Sequence, residues 1–212
     1  MASMCPKCRR PVEDDSICLA DINLTWKCKS CGNLTTGFIF PYGRCSLCGG
    51  EKELTEEYGG ASGDLVAIAR EAVQFEVDTY LFYRMAAQKT KDEVLRPVLE
   101  DLRDKEEKHL RVLENKYHVH FDQDLRQLPD KDEQIVFRFI FHGLDFKGAE
   151  GHVLQVYNKA IGMEKRTRNR YLAHANALPP GPHQEFYRKL AGEEEIHVKI
   201  LEAKREQFLK PS

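Results

Sequence analysis

The sequence lacks a sustained block of Lys or Arg, and its formal net charge is −2 over 212 residues. Proteins that bind nucleic acid need a basic patch to neutralise phosphates, so we expect no nucleic-acid partner. No run of about 18 apolar residues occurs, and Met1 to Arg10 has no apolar core of a secretory signal. We therefore expect a soluble, cytoplasmic protein that has no membrane partner.

Cysteine is absent after Cys48. All seven cysteines lie between Cys5 and Cys48, and six of them form Cys-x-x-Cys pairs. An odd number of clustered cysteines fits metal thiolates in a reducing compartment better than it fits disulfides. The composition changes at residues 59–63, which read Gly-Gly-Ala-Ser-Gly and are typical of a flexible joint. We predict a cysteine-rich metal module over residues 1–58, a linker over 59–63 and a helical domain over 64–212.

The helical domain contains a repeat with an offset of 88 residues. Each half has a Glu, a Tyr seven residues later, and a Glu-x-x-His motif that begins 30 residues after the first Glu. The repeated residues are Glu76, Tyr83, Glu106 and His109 in the first half, and Glu164, Tyr171, Glu194 and His197 in the second. One Glu on a first helix and Glu-x-x-His on a second helix, occurring twice, is the pattern that holds two metal ions inside a four-helix bundle.

The apolar periodicity predicts four helices. We expect them at about 64–89, from just after the turn at 90–92, at about 148–177 and at about 183–208, with a long connection between the second and third. That connection is what a ferritin-like bundle needs, because its second and third helices run in the same sense. The sequence thus predicts a mainly α fold, a ferritin-like four-helix bundle with a long crossover, plus the small N-terminal cysteine-rich module.

The four repeated glutamates fall on apolar helix faces, where carboxylates require compensation. Two divalent cations supply it, since four charges of −1 balance two of +2 and leave neutral imidazoles to complete the coordination. Carboxylate and imidazole ligands suit iron or manganese, and we expect two iron ions in the bundle. The predicted metal ligands and catalytic residues are Glu76, Glu106, His109, Glu164, Glu194 and His197. For Tyr83 and Tyr171 two interpretations stay open, as donors to the ligand carboxylates or as ordinary core tyrosines.

Two knuckles of the cysteine module, each with Gly after its second Cys, predict a tetrahedral site for one iron or one zinc. The predicted ligands are Cys28, Cys31, Cys45 and Cys48. Three further cysteines, Cys5, Cys8 and Cys18, either hold a second zinc or supply a pair that replaces one of the knuckles. A structural zinc ribbon is the alternative for the whole module, and it matters because zinc carries no electrons.

These motifs resemble the rubrerythrin family of the ferritin-like superfamily. Trp26-x-Cys28-x-x-Cys31-Gly32 with Cys45-x-x-Cys48-Gly49 is similar to a rubredoxin-type iron centre, and the paired helices are similar to the rubrerythrin bundle. A cysteine module that precedes the bundle is similar to the order in reverse rubrerythrins.

The resemblance implies a di-iron oxidoreductase that reduces hydrogen peroxide, or dioxygen, to water. The six bundle residues would hold the two irons, and the four knuckle cysteines would hold the iron that relays electrons from a partner reductase. The resemblance also implies a homodimer.

One position departs from the family. Rubrerythrins typically have an extra carboxylate one turn after the Glu of the third helix, and here that position is Thr167, with Ile161 one turn before the Glu. The departure supports an alternative function, a ferritin-like ferroxidase or iron-handling protein with a zinc-stabilised docking module. A third hypothesis is a sensor or adaptor in which metal only holds the fold.

Overall fold

The computed structural model describes residues 3–4, 9, 11–12, 23–36, 45, 47–58, 63–117, 134, 137–138, 141, 144 and 149–210. Within these residues the chain is mainly α, with a small sheet and a cluster of four cysteines near its N-terminus. This confirms the predicted fold class at that level. No helix in the described ranges combines the length and the apolar character needed to cross a membrane.

The sheet of the cysteine module positions Cys28, the first thiol of the predicted metal site. Strands β1 (Ser3–Met4) and β2 (Pro11–Val12) form an antiparallel pair. Strands β3 (Asn23–Cys28), β4 (Leu34–Thr36) and β5 (Lys52–Tyr58) form an antiparallel sheet in the order β4-β3-β5. Because β3 is the central strand and ends at Cys28, the ladder on both sides fixes where this sulfur lies.

Four long helices follow: α1 (Gly63–Lys89), α2 (Leu95–Tyr117), α3 (Ala149–Ala177) and α4 (Pro182–Leu209). The Asp92 carboxylate starts α2, since its Oδ1 accepts the amide N–H groups of Val94 at 3.0 Å and Leu95 at 2.6 Å. After the loop that follows α3, helix α4 begins at Pro182. The residue before it, Gly181, has a φ of 153°, a positive value that favours glycine. The helix limits agree with the prediction to within a few residues.

Each helix buries the face that the repeat predicts. The sixteen face positions are all buried: Ala72, Glu76, Tyr83 and Ala87 on α1, Leu102, Glu106, His109 and Leu113 on α2, Ala160, Glu164, Tyr171 and Ala175 on α3, and Leu190, Glu194, His197 and Leu201 on α4. Apolar residues at helical spacing thus carry the glutamates and histidines into the interior.

The backbone contacts divide the chain into two compact units, residues 1–81 with 106–142 and residues 82–105 with 143–212. The first unit contains the cysteine module and the start of α1. There the Arg70 guanidinium lies over the Trp26 ring at 5.8 Å, within the range of a cation–π contact. Gly63, assigned to the linker from sequence, is the first residue of α1, and residues 59–62 lie outside the described ranges. The predicted domain limits stay a prediction.

Candidate metal centres

The first ligand triad comes from α1 and α2. Glu76, Glu106 and His109 are 0%, 1% and 6% exposed. His109 Nδ1 lies 3.3 Å from Glu76 Oε2 and 3.6 Å from Glu106 Oε2. The i, i+3 spacing on α2 puts its Glu and His on one face, and α1 brings Glu76 to the same imidazole.

The second triad repeats this arrangement on α3 and α4. Glu164, Glu194 and His197 are 0%, 0% and 3% exposed. His197 Nδ1 lies 3.2 Å from Glu194 Oε2 and 3.7 Å from Glu164 Oε2. Two ligand atoms bound to one ion at about 2.1 Å are roughly 3.0 to 3.6 Å apart for bond angles of 90 to 120°. Three of the four nitrogen–oxygen separations lie within that range, and the fourth, 3.7 Å between His197 Nδ1 and Glu164 Oε2, lies just above it.

Within the first triad, one ligand atom of each residue lies within 4.8 Å of the others, and the same is true of the second triad. All six predicted bundle ligands are therefore members of a buried triad that could hold a metal ion.

A tyrosine hydroxyl supports the second triad. Tyr83, at the buried face of α1, donates a hydrogen bond to Glu164 Oε1. Of the two interpretations left open for this residue, the structure favours the donor to a ligand carboxylate. Its repeat mate Tyr171 is also fully buried, and its ring lies 5.8 Å from that of Tyr187.

The charge of the second triad is unfavourable without a cation. Burial and the neighbouring Glu194 carboxylate raise the pKa of Glu164 to about 8, against the opposing effect of His197. Within the described residues Glu164 Oε2 accepts no hydrogen bond. A buried carboxylate oxygen of this kind is well placed to bind a metal ion, which would reverse the shift by favouring the ionised form.

The four knuckle cysteines form the other candidate site, since their sulfurs all lie within 4.8 Å of one another. Across the knuckles, Cys28 Sγ lies 3.5 Å from Cys48 Sγ, and Cys31 Sγ lies 3.6 Å from Cys45 Sγ. Sulfurs bound tetrahedrally at about 2.3 Å would be about 3.8 Å apart, whereas a disulfide needs about 2.05 Å. The spacing fits one tetrahedral ion, and all four cysteines are free thiols.

The two knuckles have the same backbone. Gly32 and Gly49 both have φ of 73°, a left-handed conformation that favours glycine. The turn lets backbone amides point at sulfur, as the Leu47 amide does to Cys45 Sγ and the Gly50 amide to Cys48 Sγ, both at 3.4 Å. Glycine after the second cysteine thus permits the same tight turn in both knuckles.

Hydrogen bonds from backbone amides and among the sulfurs shift the pKa values of the thiols in opposite directions. The Cys31 amide N–H donates to Cys28 and lowers the pKa of Cys28 to about 6. The Asn33 amide acts to lower the pKa of Cys31, but hydrogen bonding with the Cys48 thiol and burial outweigh it and raise that pKa to about 12. A divalent cation would hold all four as thiolates, so binding should release protons.

Sequence reasoning missed two residues of this site. Gly50 has no room for a side chain, because a Cβ there would lie 2.6 Å from Ser30 Oγ and 2.8 Å from Cys28 Sγ. The Asn33 amide nitrogen Nδ2 lies 3.9 Å from Cys45 Sγ. A comparison of Cys-x-x-Cys-Gly-Asn with Cys-x-x-Cys-Gly-Gly would have drawn attention to both positions.

Some of the predicted ligands lie outside the residues that the structure describes. Cys5, Cys8 and Cys18, with the second zinc predicted near them, fall outside the described residues. Thr167 is buried, as is Thr79, which occupies the same place in the first repeat.

Comparison of the chain with protein-family models, curated proteins and solved structures gives no match.

Proposed function

We propose that this chain is a ferritin-like four-helix bundle with a di-iron centre, joined to a rubredoxin-like module, and that it reduces hydrogen peroxide as rubrerythrins do. The proposed iron ligands are Glu76, Glu106, His109, Glu164, Glu194 and His197. The proposed electron-relay ligands are Cys28, Cys31, Cys45 and Cys48.

One observation carries the di-iron assignment: the chain has two buried triads, each with two glutamates and one histidine whose ligand atoms lie within 4.8 Å of one another. A single ion would need one such triad. Two triads of the same composition are what a pair of ions would require, because each imidazole would bind one ion. The charges also match, since four carboxylates balance two divalent ions.

When bound, two ferrous ions would supply the two electrons that, with two protons, convert hydrogen peroxide into two molecules of water. The chain contributes the surroundings. The Tyr83 hydroxyl orients Glu164 and places a proton beside its oxygen. Leu102 and Leu190, buried on the same faces as the ligands, keep bulk water away from the carboxylates.

The cysteine site is suited to receive electrons from outside. Cys31 and Cys48 are exposed, whereas Cys28 and Cys45 are buried. One side of the sulfur cluster therefore faces solvent, where a partner reductase would transfer its electron. We propose iron at this site on that ground, and the implied homodimer remains part of the proposal.

A second candidate function, ferroxidase or iron handling, is favoured by one feature. Each repeat has a buried threonine three residues after its first glutamate, Thr79 in the first and Thr167 in the second. Neither repeat offers the extra carboxylate of rubrerythrins at that place. The proposed centre is therefore symmetric in its ligands, as in ferritin-like proteins that oxidise and pass on iron.

The test uses full-length protein loaded with ferrous iron under anaerobic conditions. We expect two irons in the bundle and one at the cysteines, and stoichiometric peroxide should oxidise both centres reversibly. Glu106→Gln should lose the peroxide reaction. The matched control is Glu107→Gln, because Glu107 neighbours the ligand but pairs with Arg111 at 2.7 Å on the surface.

The outcomes separate the candidates. Peroxide consumption that continues with an added reductant supports the peroxidase. Oxidation of many equivalents of ferrous iron, with zinc at the cysteines, supports the ferroxidase instead. A bundle that binds no metal, or a Glu106→Gln variant as active as the Glu107→Gln control, would refute both.

A further inference from the structure

The two cysteine knuckles are related residue by residue, and the relation extends one position beyond each glycine. The Cys28 amide donates to the Asn33 carbonyl at 2.9 Å, and the Cys45 amide donates to the Gly50 carbonyl at 2.8 Å. The Gly32 amide donates to the Cys28 carbonyl at 2.9 Å and the Gly49 amide to the Cys45 carbonyl at 2.7 Å. Asn33 and Gly50 therefore occupy equivalent positions.

Each of these positions faces the first cysteine of the opposite knuckle. The Cβ direction of Gly50 points to Cys28 Sγ, 2.8 Å from where a Cβ would stand. The Asn33 side chain reaches Cys45 Sγ, with 3.9 Å between Nδ2 and the sulfur. The Cys28 sulfur is thus approached by a residue without a side chain, and the Cys45 sulfur is approached by a side-chain amide.

We propose that Asn33 is a positioning residue that sets the electron affinity of a metal ion bound by the four cysteines, by donating a hydrogen bond to Cys45. This rests on the proposed function only where the ion is iron. The orientation of the amide follows from charge, because a thiolate attracts its N–H end and repels its carbonyl oxygen.

The direction of the effect follows from the charge on sulfur. A hydrogen bond to a thiolate stabilises the more negative, reduced form of the site and raises its reduction potential. Cys45 is fully buried, so solvent does not compete for this sulfur. Loss of the donor should therefore lower the potential, and a carboxylate at the same place should lower it further.

The experiment uses the full-length protein with iron at the cysteine site. Asn33→Ala removes the donor, and Asn33→Asp replaces it with an isosteric charge. The control is Thr55→Val in the same module, because the Thr55 hydroxyl donates to the Thr25 carbonyl at 3.0 Å. We expect the midpoint potential to shift negative in Asn33→Ala, to shift further in Asn33→Asp and to stay unchanged in Thr55→Val.

Cobalt(II) provides a second readout that needs no redox function. Without the hydrogen bond the sulfur lone pairs rise in energy, so the sulfur-to-cobalt charge-transfer band of Asn33→Ala should move to longer wavelength. The same band also reports that the variant still folds around a four-sulfur site.

The results distinguish this proposal from the proposed function. An unchanged potential and an unchanged cobalt band in Asn33→Ala would overturn the role of Asn33. A positive shift of potential would overturn it too, since that sign means the side chain only shields sulfur from water. If iron does not enter the site, the electron relay fails, and the cobalt band alone then decides the role of Asn33.

Discussion

The metal-free protein should become less stable as pH rises, and Glu164 is the group responsible. Its pKa is raised from 4.5 to about 8 by burial and by Glu194. The folded chain then holds a proton that the unfolded chain has lost. Stability from this group is fully present below pH 4.5 and is lost as pH rises through about 8.

The magnitude follows from the linkage relation. Each unit of pH between the unfolded and folded pKa values changes the free energy of unfolding by about 1.4 kcal/mol per group. Between pH 6.5 and 8 the loss is therefore about 2 kcal/mol. Glu164→Gln mimics the protonated carboxyl and should not show this loss.

The assay is urea unfolding of chelator-treated protein at pH 6.5 and 8, with wild type and Glu164→Gln measured side by side. Groups away from Glu164 contribute equally to both proteins, so the difference between the two reports on Glu164. Adding manganese(II) should reverse the wild-type trend, because the metal needs ionised ligands. Equal pH dependence of the two apoproteins would refute the argument that Glu164 is protonated in the core.

Three further predictions concern the two sites. Gly50→Ala should prevent formation of the four-sulfur site, as measured by cobalt(II) titration. Gly192→Ala is the control, because a Cβ at that position meets nothing within 4 Å. It should bind cobalt normally and gain about 1 kcal/mol of helix stability. Tyr83→Phe should destabilise the metal-free protein by about 1 to 2 kcal/mol in urea unfolding and should weaken manganese binding at least 10-fold; unchanged values would mean that its hydrogen bond is incidental. Glu76→Gln should lose the ion of the first triad and keep that of the second, as counted by metal analysis, because Glu76 Oε2 lies 3.3 Å from His109 Nδ1 in the first triad; loss of both ions, or of neither, would contradict the assignment of one ion to each triad.

The helices and their buried faces could be predicted because each depends on local spacing. Apolar residues at 3.6-residue intervals select the face, and Gly181 and Pro182 mark the break before α4. The glutamates on those faces followed from the repeat. Their convergence was a prediction from pattern, since spacing alone gives no distance between helices.

Contacts between distant segments could not be predicted in the same way. The spacing left open whether Tyr83 reaches a ligand carboxylate, and it could not show that the partner would be Glu164, 81 residues away, rather than Glu76 on its own helix. Asn33 and Gly50 owe their roles to the approach of one knuckle to the sulfur of the other, which leaves no periodic signal.

The threonine pair bears on how a di-iron centre in this chain would respond to oxidation. Four carboxylates balance two divalent ions but leave two positive charges uncompensated when both ions become trivalent. Neither Thr79 nor Thr167 can add negative charge, and the Thr79 hydroxyl is already committed to the Phe75 carbonyl at 2.9 Å. Burial of uncompensated charge is costly, so oxidation by a one-electron reagent that takes up no protons should be coupled to the loss of protons from the core. Tyr83, whose hydroxyl donates to Glu164, is placed to give up such a proton, and proton release in that assay that is reduced in Tyr83→Phe would show that it does.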